Sequence, residues 1–335
     1  MPGLKNVFKQ IGKAIAFLFV SLYRLFLFLL DNTIGLIFSK KFNGYNKALD
    51  KDKVWYKVRF VLQILVLLLL IFSFNEIYYY TIGQVIGSFI TWIGTLFKET
   101  SIYGKILIEY GHKFSEGIGT TLYLSLIGTT IGFIFAIFLS LIVTLKRYPE
   151  DGVIKKTFKS IGKWFVKTYV TVIRGTPMMV QAMIIYWGGK TFVDWDHLVA
   201  ALVVVSLNTT AYLTEVLRGG IESIDKGQQE GGLSLGLSNF QTMMTIVFPQ
   251  AIKNSMASIG NEFVINIKDT SVLSVILVVD LFRVAQLAQA KYLNPFPPFI
   301  IVAVIYLILT STITAILKRL SKVLEVPEVK LPSAN

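Results

Sequence analysis

The chain has 335 residues, 54% of them hydrophobic and only 16% charged, with a formal net charge of +13. Soluble domains carry about a quarter charged residues, and one water-soluble core cannot bury several long apolar stretches, so an all-α integral membrane protein is expected. The basic residues cluster beside those stretches, which points to membrane lipid and excludes nucleic acid as the partner that the charge serves.

In chain order, residues 7–38 are apolar with a polar stripe at Lys9, Lys13, Ser21, Arg24 and Asp31. The near-helical spacing predicts a helix lying on the inner membrane surface, not a cleavable leader. Residues 58–74 form the strongest span. Its upstream flank, 40–59, holds seven basic residues against Asp50 and Asp52, which places that side in the cytoplasm. Residues 77–97 carry no charge. Thr81, Gln84, Ser88, Thr91 and Thr95 share a helical face, which predicts an amphipathic helix on the outer surface; a second crossing is the alternative and would invert every later loop.

Further spans are expected at 114–145, 169–187, 197–217, 259–282 and 299–317. The segment 146–167, with seven basic and two acidic residues, reads as a cytoplasmic loop, and Asp194 and Asp196 mark an external one. Lys318, Arg319 and Lys322 put the C-terminus inside. Gly128-x-x-x-Gly132 suits close helix packing, although glycine is also simply tolerated in membrane helices.

Several chemistries are excluded. The chain has no cysteine, so no disulfide or thiolate ligand exists, and His112 and His197 flank separate spans, so no metal site is expected. Gly188-Gly189-Lys190-Thr191 looks like the end of a phosphate loop, but counting back from Gly189 puts Ile184 where the first glycine belongs. No hydrolase elbow or zinc-protease motif occurs, so no enzymatic role and no cofactor are expected.

The segment 218–253 is too polar for membrane and too patterned for a linker. Asp225 with Gln228 fits a helix start, Gly236 a stop, and Ser238 with Gln241 a capping box; a short second helix should then end at Pro249. Glu230-Gly231-Gly232, then Leu235-Gly236, then Ile246-Val247-Phe248-Pro249 resembles, in spacing throughout, the Glu-Ala-Ala loop of ABC importer permeases, with two glycines replacing the alanines. Tyr169 and the run Ile173-Arg174-Gly175-Thr176-Pro177 through Gln181 resemble the Arg-Gly-Thr-Pro signature of polar amino acid permeases. Ala211-Tyr212 through Glu215 and Arg218-Gly219-Gly220-Ile221, and Lys268-Asp269-Thr270-Ser271, are similar to two further segments of that family.

The resemblance covers about 114–320 and implies a five-helix type I importer core preceded by an N-terminal extension, 1–113, with one extra transmembrane helix, and followed by a cytoplasmic tail, 321–335. It implies a bacterial inner-membrane subunit that moves polar amino acids by alternating access. The implied partners are separate ABC ATPase subunits, an extracytoplasmic substrate-binding protein and a second permease subunit, identical or homologous. In such a chain Glu230, Gly231, Gly232, Leu235, Gly236, Ile246 and Pro249 would form the coupling loop. The alternatives are a permease of the same fold for another small solute, or an ion channel. Charges within spans usually line a cavity or bundle interior, so Lys268, Asp269 and Ser271 are candidates for the substrate pathway. Asn208 could serve it or bond another helix. Glu215 could serve it or pair with Arg218. Arg174 could anchor its helix to headgroups, and Thr176-Pro177 should break or kink the start of the third span.

Overall fold

The computed structural model describes residues 82–97, 101–145 and 152–323. The expectations for 7–38, 58–74 and the tail beyond 323 lie outside the described residues. Those described are helical, and no strand occurs among them. The chain divides into two compact units, one holding residues 223–253 and the other 75–222 and 254–335.

In the larger unit, α1 (Gly83–Leu96) turns back along the start of α2 (Ile102–Thr144). Its small face, Gly83, Gly87 and Gly94 with Ile90, is buried, and the Ser115 hydroxyl donates to the Gly83 carbonyl at 2.7 Å. The helix expected at 77–97 therefore forms over Gly83–Leu96, and it packs lengthwise on α2. At about 1.5 Å per residue α2 is roughly 65 Å long, twice an apolar bilayer core. It begins well before the expected Phe114, and its early turns are tied down by Glu109, which pairs with Lys291 and accepts from the Tyr292 hydroxyl at 2.8 Å.

Helix α3 (Val153–Gly175) occupies most of the segment expected to be a loop. Lys155, Lys159, Lys163 and Lys167 recur every fourth residue, so they share one side of a helix and do not interrupt it. Ile154, Phe158, Ile161 and Phe165 repeat on the adjoining face and are exposed. Thr176-Pro177 then breaks the chain before α4 (Met178–Met183), which runs on through a wide π-helical turn to Gly188. The proline therefore interrupts the middle of a longer helical run, not its start.

Helix α5 (His197–Glu222) packs against α2 at close range. A β-carbon on Gly128 would lie 2.9 Å from Cβ of Val205, and one on Gly132 would lie 2.7 Å from Cβ of Thr209. The small-residue pair is thus a packing requirement. Leu124, Val204, Val205, Tyr186, Leu273 and Ile276 form the core beside this seam. Val143, Val166, Val170 and Ala211 form a second, smaller cluster.

The smaller unit contains α6 (Lys226–Ser234) and α7 (Asn239–Thr242), with a π-helical turn at Met243–Val247. Helix α8 (Phe248–Asp269) follows, so Pro249 stands inside a helix that was expected to end there. The ring of a proline clashes with the carbonyl four residues back. Here that carbonyl belongs to Thr245, in the widened turn, which leaves room for the ring. A 3₁₀ segment, Thr270–Ile276, α9 (Leu281–Tyr292) and α10 (Phe296–Val323) complete the described chain. The fifth expected span is therefore not one helix: α9 bends by 52° from the run that ends at Ile276. Among the described residues three helices are long and apolar enough to cross a membrane (α2, α5 and Phe296–Arg319 of α10), or four if the bent pair is one span.

Candidate functional site

The 223–253 unit is a pair of short helices held by caps at each local end. The Asp225 carboxylate accepts from the Gly227 amide at 2.6 Å and starts α6. Gly236, at φ +81°, ends it. The Leu237 amide donates to the Gly232 carbonyl at 3.2 Å and the Gly236 amide to the Leu233 carbonyl at 2.9 Å, the paired closure of a Schellman motif. Ser238 then caps α7 reciprocally with Gln241: the Ser238 amide donates to Gln241 Oε1 at 2.7 Å, and the Gln241 amide donates to Ser238 Oγ at 3.2 Å.

The two glycines that replace alanines have different surroundings. A β-carbon on Gly232 would lie 2.7 Å from Thr242 Cγ2 and 2.9 Å from Ile246 Cδ1, whereas one on Gly231 would meet nothing within 4 Å. Gly232 thus sets how closely α6 approaches the α7 segment, and Ile246 is the side chain that closes over it. Gln250 Nε2, in the first turn of α8, donates to Gln228 Oε1 of α6 at 3.3 Å. Glu230 and Gly231 are exposed, as is Leu235 at 82% and Phe240 at 48%, so an acidic and apolar surface surrounds the Gly236 turn.

In the larger unit, the break at Thr176-Pro177 is satisfied by one side chain. Gln181 Nε2 donates to the Ile173 carbonyl at 2.7 Å and to Thr176 at its carbonyl, 3.0 Å, and its hydroxyl, 2.9 Å. Its Oε1 accepts from Asn208 Nδ2 at 3.3 Å. Asn208 is buried, so of its two expected roles the structure displays the interhelical bond. Arg174 and Gly175 are exposed, and the Arg174 guanidinium lies over the Tyr212 ring, 5.1 Å from its centre.

Glu215 and Arg218 meet as their spacing predicts. Arg218 Nη2 is 2.9 Å and Nε 3.1 Å from Glu215 Oε2, while Nη1 reaches Glu222 at 2.6 Å. Arg218 thus belongs to α5, and the polar loop begins later than its expected start at 218. Lys268 and Asp269 are both exposed at the end of α8, and Ser271 is half-buried on the 3₁₀ segment.

Two residues outside the sequence expectation join this region. Asn266 Nδ2 donates to the hydroxyls of Thr129 and Thr209, each at 2.8 Å, and so joins α2, α5 and α8 in one buried knot. Glu262 is buried on α8 in the field of Arg174 and Asp269. An acid inside an expected span was itself a signal for it; the partners of Asn266 had none, because they lie 137 and 57 residues away in sequence.

Residues 152–325 match the family of binding-protein-dependent transport system inner membrane components. The chain belongs to that family. The match spans more than half of this permease and includes every residue from Arg174 to Ser271 discussed above. The permease is 35% identical over 214 residues to the arginine transport system permease protein ArtQ of Bacillus subtilis (strain 168), across 63% of this chain and 91% of that one. It is 34% identical to the glutamine transport system permease protein GlnP of Escherichia coli (strain K12), across 62% and 90%. Among solved structures it resembles a crystal structure of an amino acid ABC transporter with histidines, at TM-score 0.57 and 32% identity over 64% of this chain and 96% of that one. The MetNI methionine ABC transporter, at TM-score 0.53 and 15% identity, shares the fold.

Proposed function

We propose that this permease is the transmembrane subunit of an ATP-driven importer of polar amino acids, working by alternating access with ATP hydrolysed on a separate subunit. The observation that carries this is the 223–253 unit: two short helices, locked by a Schellman turn and a capping box, present Glu230, Leu235 and Phe240 outward. A rigid, self-capped element can transmit an ATPase closure, because only an element with differential contacts in two states shifts an equilibrium between them. The relatives named for arginine and glutamine support the substrate class.

On this proposal residues 114–320 form a five-span core in which the second span of the core is broken at Pro177 and the fourth bent after Ile276. Residues 1–113 add an interfacial helix and one more span, and the tail from 321 lies in the cytoplasm. The permease pairs with a second copy or a sister subunit, two ATPase subunits grip the coupling loops from the inner side, and an extracytoplasmic binding protein delivers substrate. Lys268, Asp269 and Ser271, with Glu262, line the pathway; Asn208 and Glu215 support its walls. The chain itself catalyses no reaction.

The test uses the absence of native cysteine. A photo-crosslinker on Glu230→Cys, in inside-out membranes from the native host, should capture an ATP-hydrolysing subunit, and the purified complex in proteoliposomes should take up labelled polar amino acid when ATP is enclosed with the ATPase. A label at 230 that reacts only from the outer side, or a complex that hydrolyses ATP without uptake of any amino acid, would refute the proposal.

A further inference from the structure

The start of α3 combines an apolar outward stripe with a dense run of lysine. At about 100° per residue, Ile154, Phe158, Ile161, Phe165 and Val172 fall within about 60° of arc. Ile154 is 88% exposed and Phe158 78%, and the rest of the stripe is exposed as well, with Trp164 at its edge. Lys155, Lys156, Lys159, Lys163 and Lys167 take the other sides, and α3 holds no acidic residue. Lys155 and Lys167 are exposed, Lys156 and Lys163 half-buried and Lys159 buried. By contrast, α10 exposes Ile300, Val304, Leu307 and Ile308 with no charge from Phe296 to Leu317, the pattern of contact with acyl chains alone.

The stripe begins ahead of the seam that α3 makes with its neighbours. Gly162 stands against the last turn of α2: a β-carbon there would lie 3.1 Å from Cγ2 of Ile142. Val166 and Val170 follow, packed with Val143 of α2 and Ala211 of α5. The residues from Val153 to Ile161 precede this seam and extend about 13 Å. None of their apolar side chains is buried. The polar zone on one side of a bilayer is about 5–7 Å deep. Standing upright, this part of α3 would carry Ile154 and Phe158 through that zone into water. Tilted towards the surface, it keeps them at the boundary between headgroups and acyl chains, with the lysine stems reaching back to the charged layer.

We infer that residues 153–167 form a binding surface for anionic phospholipid of the inner leaflet. Ile154, Phe158 and Ile161 enter the bilayer, Lys155 and Lys167 hold the headgroups, and the other three lysines add to the local positive potential. The stripe runs on without a break into Phe165 and Val172, which face outward from the span itself, so its occupant is lipid and not a protein partner. The lysines make that lipid anionic, because basic residues beside a membrane span are drawn to negative surface charge. The inference rests on the proposed orientation for the choice of leaflet, and on α3 alone for the contact.

Nitroxide labels on Ile154→Cys and Phe158→Cys, in a chain with no other cysteine, test this in the full chain assembled with its ATPase in lipid nanodiscs. Depth is read from collision with oxygen against a water-soluble nickel chelate, without nucleotide or substrate. In phosphatidylcholine mixed with phosphatidylglycerol both labels should lie below the headgroups, open to oxygen and shielded from nickel. In phosphatidylcholine alone they should lie shallower. Raising the salt concentration should reverse the difference, because salt screens the charges and leaves the chain unaltered. Lys155→Gln combined with Lys167→Gln should lose most of the shift. Labels at one depth in both lipids, a difference that neither salt nor the double variant reduces, or labels shielded from both reagents by a protein neighbour would overturn the lipid surface. In sealed native vesicles, a label that a membrane-impermeant reagent reaches only from the outer side would overturn the proposed orientation and the importer with it, while the depth comparison would still decide the lipid contact.

Discussion

Replacing Gly231 and Gly232 one at a time by alanine separates two reasons for a glycine on the same turn of α6. Each replacement gains about 1 kcal/mol of helix propensity. At Gly231 nothing opposes that gain, since the new methyl group meets open space. At Gly232 the methyl group would stand 2.7 Å from Thr242 Cγ2 and 2.9 Å from Ile246 Cδ1. Ile246 can turn its terminal methyl aside, but Thr242 is β-branched and fully buried, so the helices must separate. Overpacking of this kind costs about 1–3 kcal/mol. The net expectation is stabilisation of α6 by up to about 1 kcal/mol for Gly231→Ala and destabilisation of the helix pair by about 0–2 kcal/mol for Gly232→Ala. Amide hydrogen exchange in the full chain in lipid reads this directly, because 1 kcal/mol is about five-fold in an opening equilibrium. Amides of α6 and α7 should exchange more slowly in the first variant and faster in the second. Equal changes in both variants would refute the assignment of Gly232 to the internal seam.

Three other substitutions follow from the same geometry. Gln181→Leu leaves the part-buried Ile173 and Thr176 carbonyls without this donor, at the lower end of the about 1–3 kcal/mol that an abandoned buried acceptor costs; the thermal midpoint of the detergent-solubilised permease should fall, and Gln181→Glu should not restore it, since a carboxylate donates nothing. Asn266→Leu should lower stability by about 0.6 kcal/mol for each of the two bonds lost, up to ~1.7 for one, with Thr129→Val in the Asn266→Leu background adding little further, a double-mutant comparison by thermal unfolding. Glu215→Gln should change stability by less than about 1 kcal/mol, because the Arg218 pair is about a third exposed and Glu222 remains as a partner; a loss of substrate uptake with stability retained would assign Glu215 to the pathway.

The parts legible in the sequence were those whose cause is local. Asp225, Gly236, Ser238 and Gln241 act on amides within three residues of themselves, and the caps form as their spacing predicts. The Glu215–Arg218 pair is of the same kind. Segment 146–167 misled because charge was read as a boundary, whereas lysines four apart share one side of a helix without interrupting it, and Lys159 among them is buried. Pro249 misled because a helix stop was inferred from the missing amide alone, and the widened turn that accommodates the ring depends on how α7 packs. The contacts of Gln181 with Asn208, and of Asn266 with Thr129 and Thr209, join distant parts of the chain, and no local pattern encodes which amide finds which hydroxyl.

Three irregularities in the described chain have their own polar closure, and this constrains where motion can occur. Backbone groups freed inside a bilayer must find partners within the protein. At Thr176-Pro177 the partner is Gln181, itself bonded to Asn208 of α5. At the start of α9 the partners are Asp280 and Thr121, the latter from α2. Between α6 and α7 they are Gly232, Leu233, Ser238 and Gln241, all within the unit itself. The first two closures tie a break to a neighbouring long helix; the third is self-sufficient. Displacing the α6–α7 pair as a whole would leave these caps intact, whereas moving either membrane break would strain a bond to a neighbouring helix. That asymmetry suits a machine in which the polar loop receives the push and the far ends of the spans resist it.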